Sequence, residues 1–150
     1  MKKSLFTLIA ILFAGVSFAQ TDAVSMAAGA VSEGAKPGAV LSELSSAIDP
    51  KLYLKAFDRD KWKKNLDNIA NPMAFGRSLT DLAFGLSPEA FTPEFANQKN
   101  AWLSKAKGIT KYADASALLK EFEAGLNPKF MSPDWTAKKA TWLKSLDALK

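Results

Sequence analysis

Leu119, Phe122 and Leu126 recur at i, i+3 and i+7, which places them on one face of a helix. Gly125 stands near the end of this row and Asn127-Pro128 follows it. Proline cannot continue a helical ladder and restricts the residue before it, so the chain is expected to turn there. Ser132-Pro133-Asp134 then offers a hydroxyl to cap free amides, a proline suited to the first helical position and an acid near the positive end of the dipole. A second helix is predicted from this point. It carries Trp135, Trp142, Leu146 and Leu149 on one face, with Lys138, Lys144 and Asp147 mostly off it.

The order of apolar row, proline corner and tryptophan occurs twice more. In a middle unit Leu79, Leu82 and Leu86 form the row, and Gly85, Pro88, Pro93 and Trp102 match Gly125, Pro128, Pro133 and Trp142 at an offset of 40. In a first unit Leu41, Leu44 and Ile48 precede Asp49-Pro50, Phe57 and Trp62. Trp62 again stands 40 before Trp102, whereas Leu41 stands 38 before Leu79, so the first corner is two residues shorter. Each predicted helical hairpin has an apolar face it cannot bury alone, so neighbours must stack or fold onto one another. The expected fold is all-α: residues 38–150 as three tandem helical hairpin repeats of about 40 residues, forming a small bundle or a short α-solenoid. The units span about 41–70, 79–110 and 118–150. Residues 71–78 and 110–116 read as connections, with Ser78 and Asp114 as caps for the helices that follow. Leu103 and Leu143 flank the later tryptophans, but the first unit has Lys63, then Lys64 and Asn65, so it reads as a capping repeat with a polar outer side.

Before the repeats, residues 1–19 read as a secretory signal peptide: Lys2 and Lys3, the apolar run from Leu5 to Val16, then Ser17-Phe18-Ala19 with small residues where a signal peptidase cuts. The mature chain is expected to begin at or near Gln20, in the periplasm or the medium of a bacterium, with no transmembrane span. Loss of Lys2 and Lys3 lowers the formal charge from +5 to +3. That mild, interspersed charge argues against a nucleic-acid partner. Residues 20–37, rich in Ala, Gly and Ser and without aromatics, read as a flexible leader closed by Pro37. With no cysteine there is neither a lipid-anchor site nor a disulfide, and stability must come from the packed core.

The same composition narrows the chemistry. Without His or Cys there is no imidazole base, no thiolate and no ordinary zinc site, and no metal or cofactor is expected. Asp58-x-Asp60 is read as a helix start rather than a divalent-metal site, because no oxygen-rich loop surrounds it; Glu94 and Asp134 take the same reading. Trp62, Trp102 and Trp142, with Trp135 and Phe95, lie on the apolar rows and are expected in the core. Arg59, Lys99 and Lys139 each precede a tryptophan by three residues, close enough for a stem-on-ring or cation-π contact, and in register they would form a ridge. Together with Trp142, Leu143 and Leu146 on the last apolar face, they make the candidate interaction surface.

The function expected from these features is an exported non-enzymatic binding or interaction protein of the bacterial cell envelope, engaging a protein partner or a second copy. One alternative is association with a lipid surface through the basic-aromatic ridge. The other is an envelope hydrolase working with two carboxylates.

Overall fold

The computed structural model describes residues 35–149; the stretch read as a signal peptide and nearly all of that read as a leader lie outside the described residues. Within them are six α-helices and no strand, so the fold is all-α. The helices are α1 (Pro37–Ala47), α2 (Arg59–Leu66), α3 (Pro72–Gly85), α4 (Pro93–Lys107), α5 (Tyr112–Gly125) and α6 (Trp135–Asp147). Three short 3-10 turns, Pro50–Leu52, Pro88–Ala90 and Pro128–Phe130, sit at the proline corners. Asp49 and Asn127 cap the first and third of these turns, accepting the N–H groups of Lys51 and Lys129.

Local chemistry accounts for most helix starts. Asp58 accepts the Lys61 N–H at 2.9 Å and caps α2, as expected of an acid there. Thr92 caps α4 through the Phe95 N–H, with Pro93 at the first helical position. Two expected connections are instead helical, since α3 begins at Pro72 and α5 at Tyr112. Asn71-Pro72 is itself a cap followed by a first-position proline, with Asn71 Oδ1 accepting the Ala74 N–H at 2.8 Å. Phe75 and Ala115 carry the buried rows one turn further back. Ser78 therefore lies inside α3, and Asp114 lies in the first turn of α5 rather than capping it. Before α6, the Ser132 hydroxyl donates to Asp134 instead of capping free amides, and the Trp135 N–H bonds to the Ser132 carbonyl.

Consecutive helices pair as α1 with α2, α3 with α4, and α5 with α6, and α3 also packs on both α1 and α5. Three seams join one pair to another: α2 against α3, α4 against α5, and α6 against α1. The corners repeat this cycle. Tyr53 pairs with Leu86, Phe91 with Leu126, and Met131 with Ile48. Beside them, the Leu54, Thr92 and Ser132 N–H groups donate to the carbonyls of Gly85, Gly125 and Ala47 at 2.8, 2.8 and 2.7 Å. The Ser87, Asn127 and Asp49 N–H groups donate to Leu52, Ala90 and Phe130. In every set the third bond ties the end of the described chain to its start.

The tryptophans follow the same rule. Trp62, Trp102 and Trp142 are buried, and each indole Nε1 donates at 3.0 Å to a backbone carbonyl of the next first-arm helix: Ser78, Leu118 and, across 102 residues, Val40. A buried indole N–H with a partner adds direction to a large apolar contact. Close approach at two seams requires glycine. The Phe57 ring lies on Gly85 and the Phe95 ring on Gly125, where a Cβ would come within 2.5 and 2.3 Å of ring carbons. Because α1 is flanked by both α2 and α6, the first helix pair is not the end of a stack. Lys63 accordingly does not mark a cap against solvent; its ammonium donates to Ser46 Oγ at 2.9 Å on α1.

Candidate functional site

The residues proposed from sequence as an interaction surface fall into two groups. Trp142 and Leu146 are 1% and 0% exposed, covered at the α6/α1 seam, and Leu143 is partly buried against the core. The apolar face of the last helix is thus packed internally rather than presented. Arg59, Lys99 and Lys139 are half-buried and do not form a free ridge. Nor do they lie on the tryptophan rings. The Arg59 guanidinium sits 4.6 Å from the centroid of Tyr53 and donates to the Ser45 carbonyl, and its Nε is buried without a partner. Lys99 Nζ sits 4.4 Å from the centroid of Phe91, where burial holds the ammonium below its ordinary pKa. Lys139 pairs at 2.9 Å with the buried Glu123, whose other oxygen accepts the Trp135 indole N–H at 3.0 Å. Each cation turns inward to its own corner or first-arm helix, because the ring or carboxylate there replaces part of its lost hydration.

Tyr53 shows how firmly one such cluster is packed. Its hydroxyl donates to the Ser45 carbonyl at 2.7 Å, and burial, opposed by the Arg59 cation, pushes its pKa up to about 12. An acid whose pKa is raised on folding adds stability that is complete below the unfolded value near 10 and is lost as pH rises to about 12. Absorbance at 295 nm is therefore expected to show a tyrosinate step near pH 12 in the native protein that Tyr53→Phe removes. The native protein should also lose ~2 kcal/mol more stability than Tyr53→Phe between pH 10 and 12.

All three seams open to solvent as grooves; the one between α4 and α5, about 430 Å³, is lined by Ser104, Lys105, Asp114, Leu118 and Glu121. The α6/α1 groove, of about 720 Å³, is lined by Ser42, Glu43, Ser46, Ser132, Asp134, Lys138 and Thr141 over Trp135 and Trp142. Its polar groups largely satisfy one another. Lys138 pairs with Asp134 at 2.5 Å, the Ser132 hydroxyl also donates to Asp134, and Ser46 donates to the Ser42 carbonyl. Those bonds hold the Asp134 carboxyl down at about 2, the Lys138 bond most of all, and Asp134 in turn raises the Lys138 ammonium, with Glu43 adding to the effect.

The α2/α3 groove, about 360 Å³, differs in kind. Leu54 and Phe84 stand on it 43% and 55% exposed, with Phe57 and Trp62 behind them and Asp58, Lys61, Asn65 and Asp81 around them. At the offsets of 38 and 40 the positions matching Phe84 are Ser46 and Ala124, and those matching Leu54 are Thr92 and Ser132. Large exposed apolar side chains therefore occupy this seam where the other two have small or polar ones. Sequence reasoning passed over both residues, since neither lies on a buried row; the mismatch between equivalent positions was the signal available. Shielding by the groove wall raises the Asp81 carboxyl above its usual range.

Among the described residues no helix is long and apolar enough to cross a membrane, and no three acidic side chains are grouped to hold a metal ion. Comparison of the chain with protein-family models, curated proteins and solved structures gave no match.

Proposed function

We propose that this chain is an exported, non-enzymatic binding protein of the bacterial cell envelope. On this reading it is built from three tandem helical hairpins of about 40 residues that close on one another, and it engages its partner through the α2/α3 groove. The observation that carries the proposal is the exposure of Phe84 and Leu54 at one seam, where the equivalent positions of the other two hold small or polar residues. Exposed aromatic side chains at a concave site are an ordinary means of anchoring a partner. Neither residue belongs to the buried core or to the side chains packed against it.

The chemistry of the acids favours binding over hydrolysis. A two-carboxylate hydrolase needs one carboxyl that stays protonated near neutral pH. Burial raises Asp81, but the other carboxylate of its groove, Asp58, is engaged as the cap of α2, and Asp134 is pulled in the opposite direction. Contact with a lipid surface through Arg59, Lys99 and Lys139 has no support in their inward placement, and it is not proposed.

A photo-crosslinking benzoylphenylalanine replacing Phe84, expressed in the bacterium that makes the protein, tests the reading. The expected result is a discrete adduct in the envelope fraction, on a mature chain beginning at Gln20. The same residue replacing Ala124, the exposed equivalent in α5, should give none. Equal adducts at the two positions, or none at either, would sink the proposal.

A further inference from the structure

The charges around the α2/α3 groove say what kind of partner it suits. Each seam keeps an acid on its first-arm helix at one equivalent position: Glu43, Asp81 and Glu121. At the α6/α1 seam Lys138 lies near enough to Glu43 for their charges to interact. The position equivalent to Lys138 is Gln98 at the α4/α5 seam and Asp58 at the α2/α3 seam, so at the latter a second acid stands where α6 has a cation. Asp58 spends its carboxylate on the Lys61 N–H. Asp81 has no hydrogen bond or ion pair among the described residues, although Arg77 precedes it by one turn and Lys61 lines the same groove. An unmatched carboxylate thus stands on the rim beside Phe84.

The larger α6/α1 groove differs: Lys138, Asp134, Ser132 and Ser46 already bond within it, and none of the large exposed apolar side chains stands on it. At the α2/α3 groove neither the apolar surface nor the acid has a partner within the described residues.

We propose that the α2/α3 groove docks a segment of a partner protein in which an aromatic or branched aliphatic residue neighbours a lysine or arginine. The apolar side chain lies against Phe84 and Leu54, and the cation meets Asp81. This rests on the groove being the binding surface, and it adds the chemistry of what enters it. Burial of a ring supplies the attraction, while the ion pair, exposed at the rim, supplies selectivity.

Three acetylated and amidated tetrapeptides serve as probes: Gly-Phe-Lys-Gly, Gly-Phe-Glu-Gly and Gly-Gly-Lys-Gly. Each is titrated at low salt into the ¹⁵N-labelled protein, following amide and indole chemical shifts. The Phe-Lys peptide is expected to move the Leu54, Asp81 and Phe84 amides and the Trp62 indole. It should bind about two- to fivefold tighter than the Phe-Glu peptide, the range an exposed ion pair commands. Gly-Gly-Lys-Gly should bind more weakly than Phe-Lys at the same residues. Asp81→Asn, checked for an unchanged amide spectrum elsewhere, should bring the Phe-Lys to Phe-Glu ratio close to one. Equal binding of the two phenylalanine peptides by the native protein would overturn the cationic part and leave the groove as a binding surface. Absence of any groove shift up to about 10 mM peptide, or shifts centred elsewhere, would overturn both.

Discussion

A chain that stops at Lys111, lacking α5 and α6, is expected to lose its fold altogether. In an open stack each repeat touches only its neighbours, so removing the last one leaves a shorter but still cooperative structure. Here the removed helices touch both remaining pairs. Without α6, the Val40 carbonyl loses the Trp142 indole, the Asp49 N–H loses the Phe130 carbonyl, and the Ala47 carbonyl loses the Ser132 N–H. Without α5, Phe95 and Trp102 lose Phe122, which they meet at centroid distances of 5.9 and 5.2 Å, and the Trp102 indole loses the Leu118 carbonyl. Uncovering each large apolar side chain costs roughly 1.5–3 kcal/mol. Exposing even five or six of them matches the ~5–15 kcal/mol that holds a typical domain together. Far-UV circular dichroism during urea titration should show no cooperative transition for the truncated chain. A sigmoidal transition with substantial helical signal at zero urea would mean that the first four helices are self-sufficient and that closure contributes little.

Which parts of this arrangement were legible in the sequence follows from what kind of contact sets each one. The all-helical class was readable because Leu41, Leu44, Leu79, Leu82, Leu119 and Phe122 keep helical spacing, and these residues are buried. The burial of Trp62, Trp102, Trp135, Trp142 and Phe95 followed from the same periodicity. The starts of α3 and α5 were missed because attention to leucines hid the earlier Phe75 and Ala115, although Asn71-Pro72 is a helix-start signal in its own right. The choice between bundle and solenoid was not readable, since the bonds that tie Trp142, Ser132 and Phe130 to α1 and its corner join residues far apart in the chain. Periodicity identifies an apolar face without saying what will cover it.

The candidate site was legible in a different and partial way. Spacing along one helix pointed Arg59, Lys99 and Lys139 at the tryptophans, whereas Arg59 and Lys99 lie on the corner rings Tyr53 and Phe91, which come from outside that helix, and Lys139 meets the Glu123 carboxylate. Phe84 and Leu54 become conspicuous only when the three seams are compared position by position. The two-residue deficit of the first unit lies in the stretch between its 3-10 turn and Trp62, where α2 begins only at Arg59 and runs to Leu66 against Pro93–Lys107 for α4. That short second arm borders the groove these two residues occupy.

Trp142→Ala is expected to cost about 3–5 kcal/mol, the usual range for truncating a fully buried aromatic residue. The conservative Trp142→Phe is more informative, because it keeps most of the ring while removing the donor to the Val40 carbonyl. The Val40 carbonyl keeps its intrahelical partner, so losing this second hydrogen bond costs about 0.5–1.5 kcal/mol. Trp62 and Trp102 make the corresponding bonds to Ser78 and Leu118 at the same 3.0 Å. If the α6/α1 seam is as well formed as the other two, the three Trp→Phe variants should lose stability by amounts within about 1 kcal/mol of one another, measured as shifts in the urea midpoint at unchanged slope. An open stack predicts another order, with Trp142→Phe far milder than Trp102→Phe because the terminal tryptophan would have no carbonyl to lose. The ranking of three single substitutions therefore decides whether α6 is held by α1.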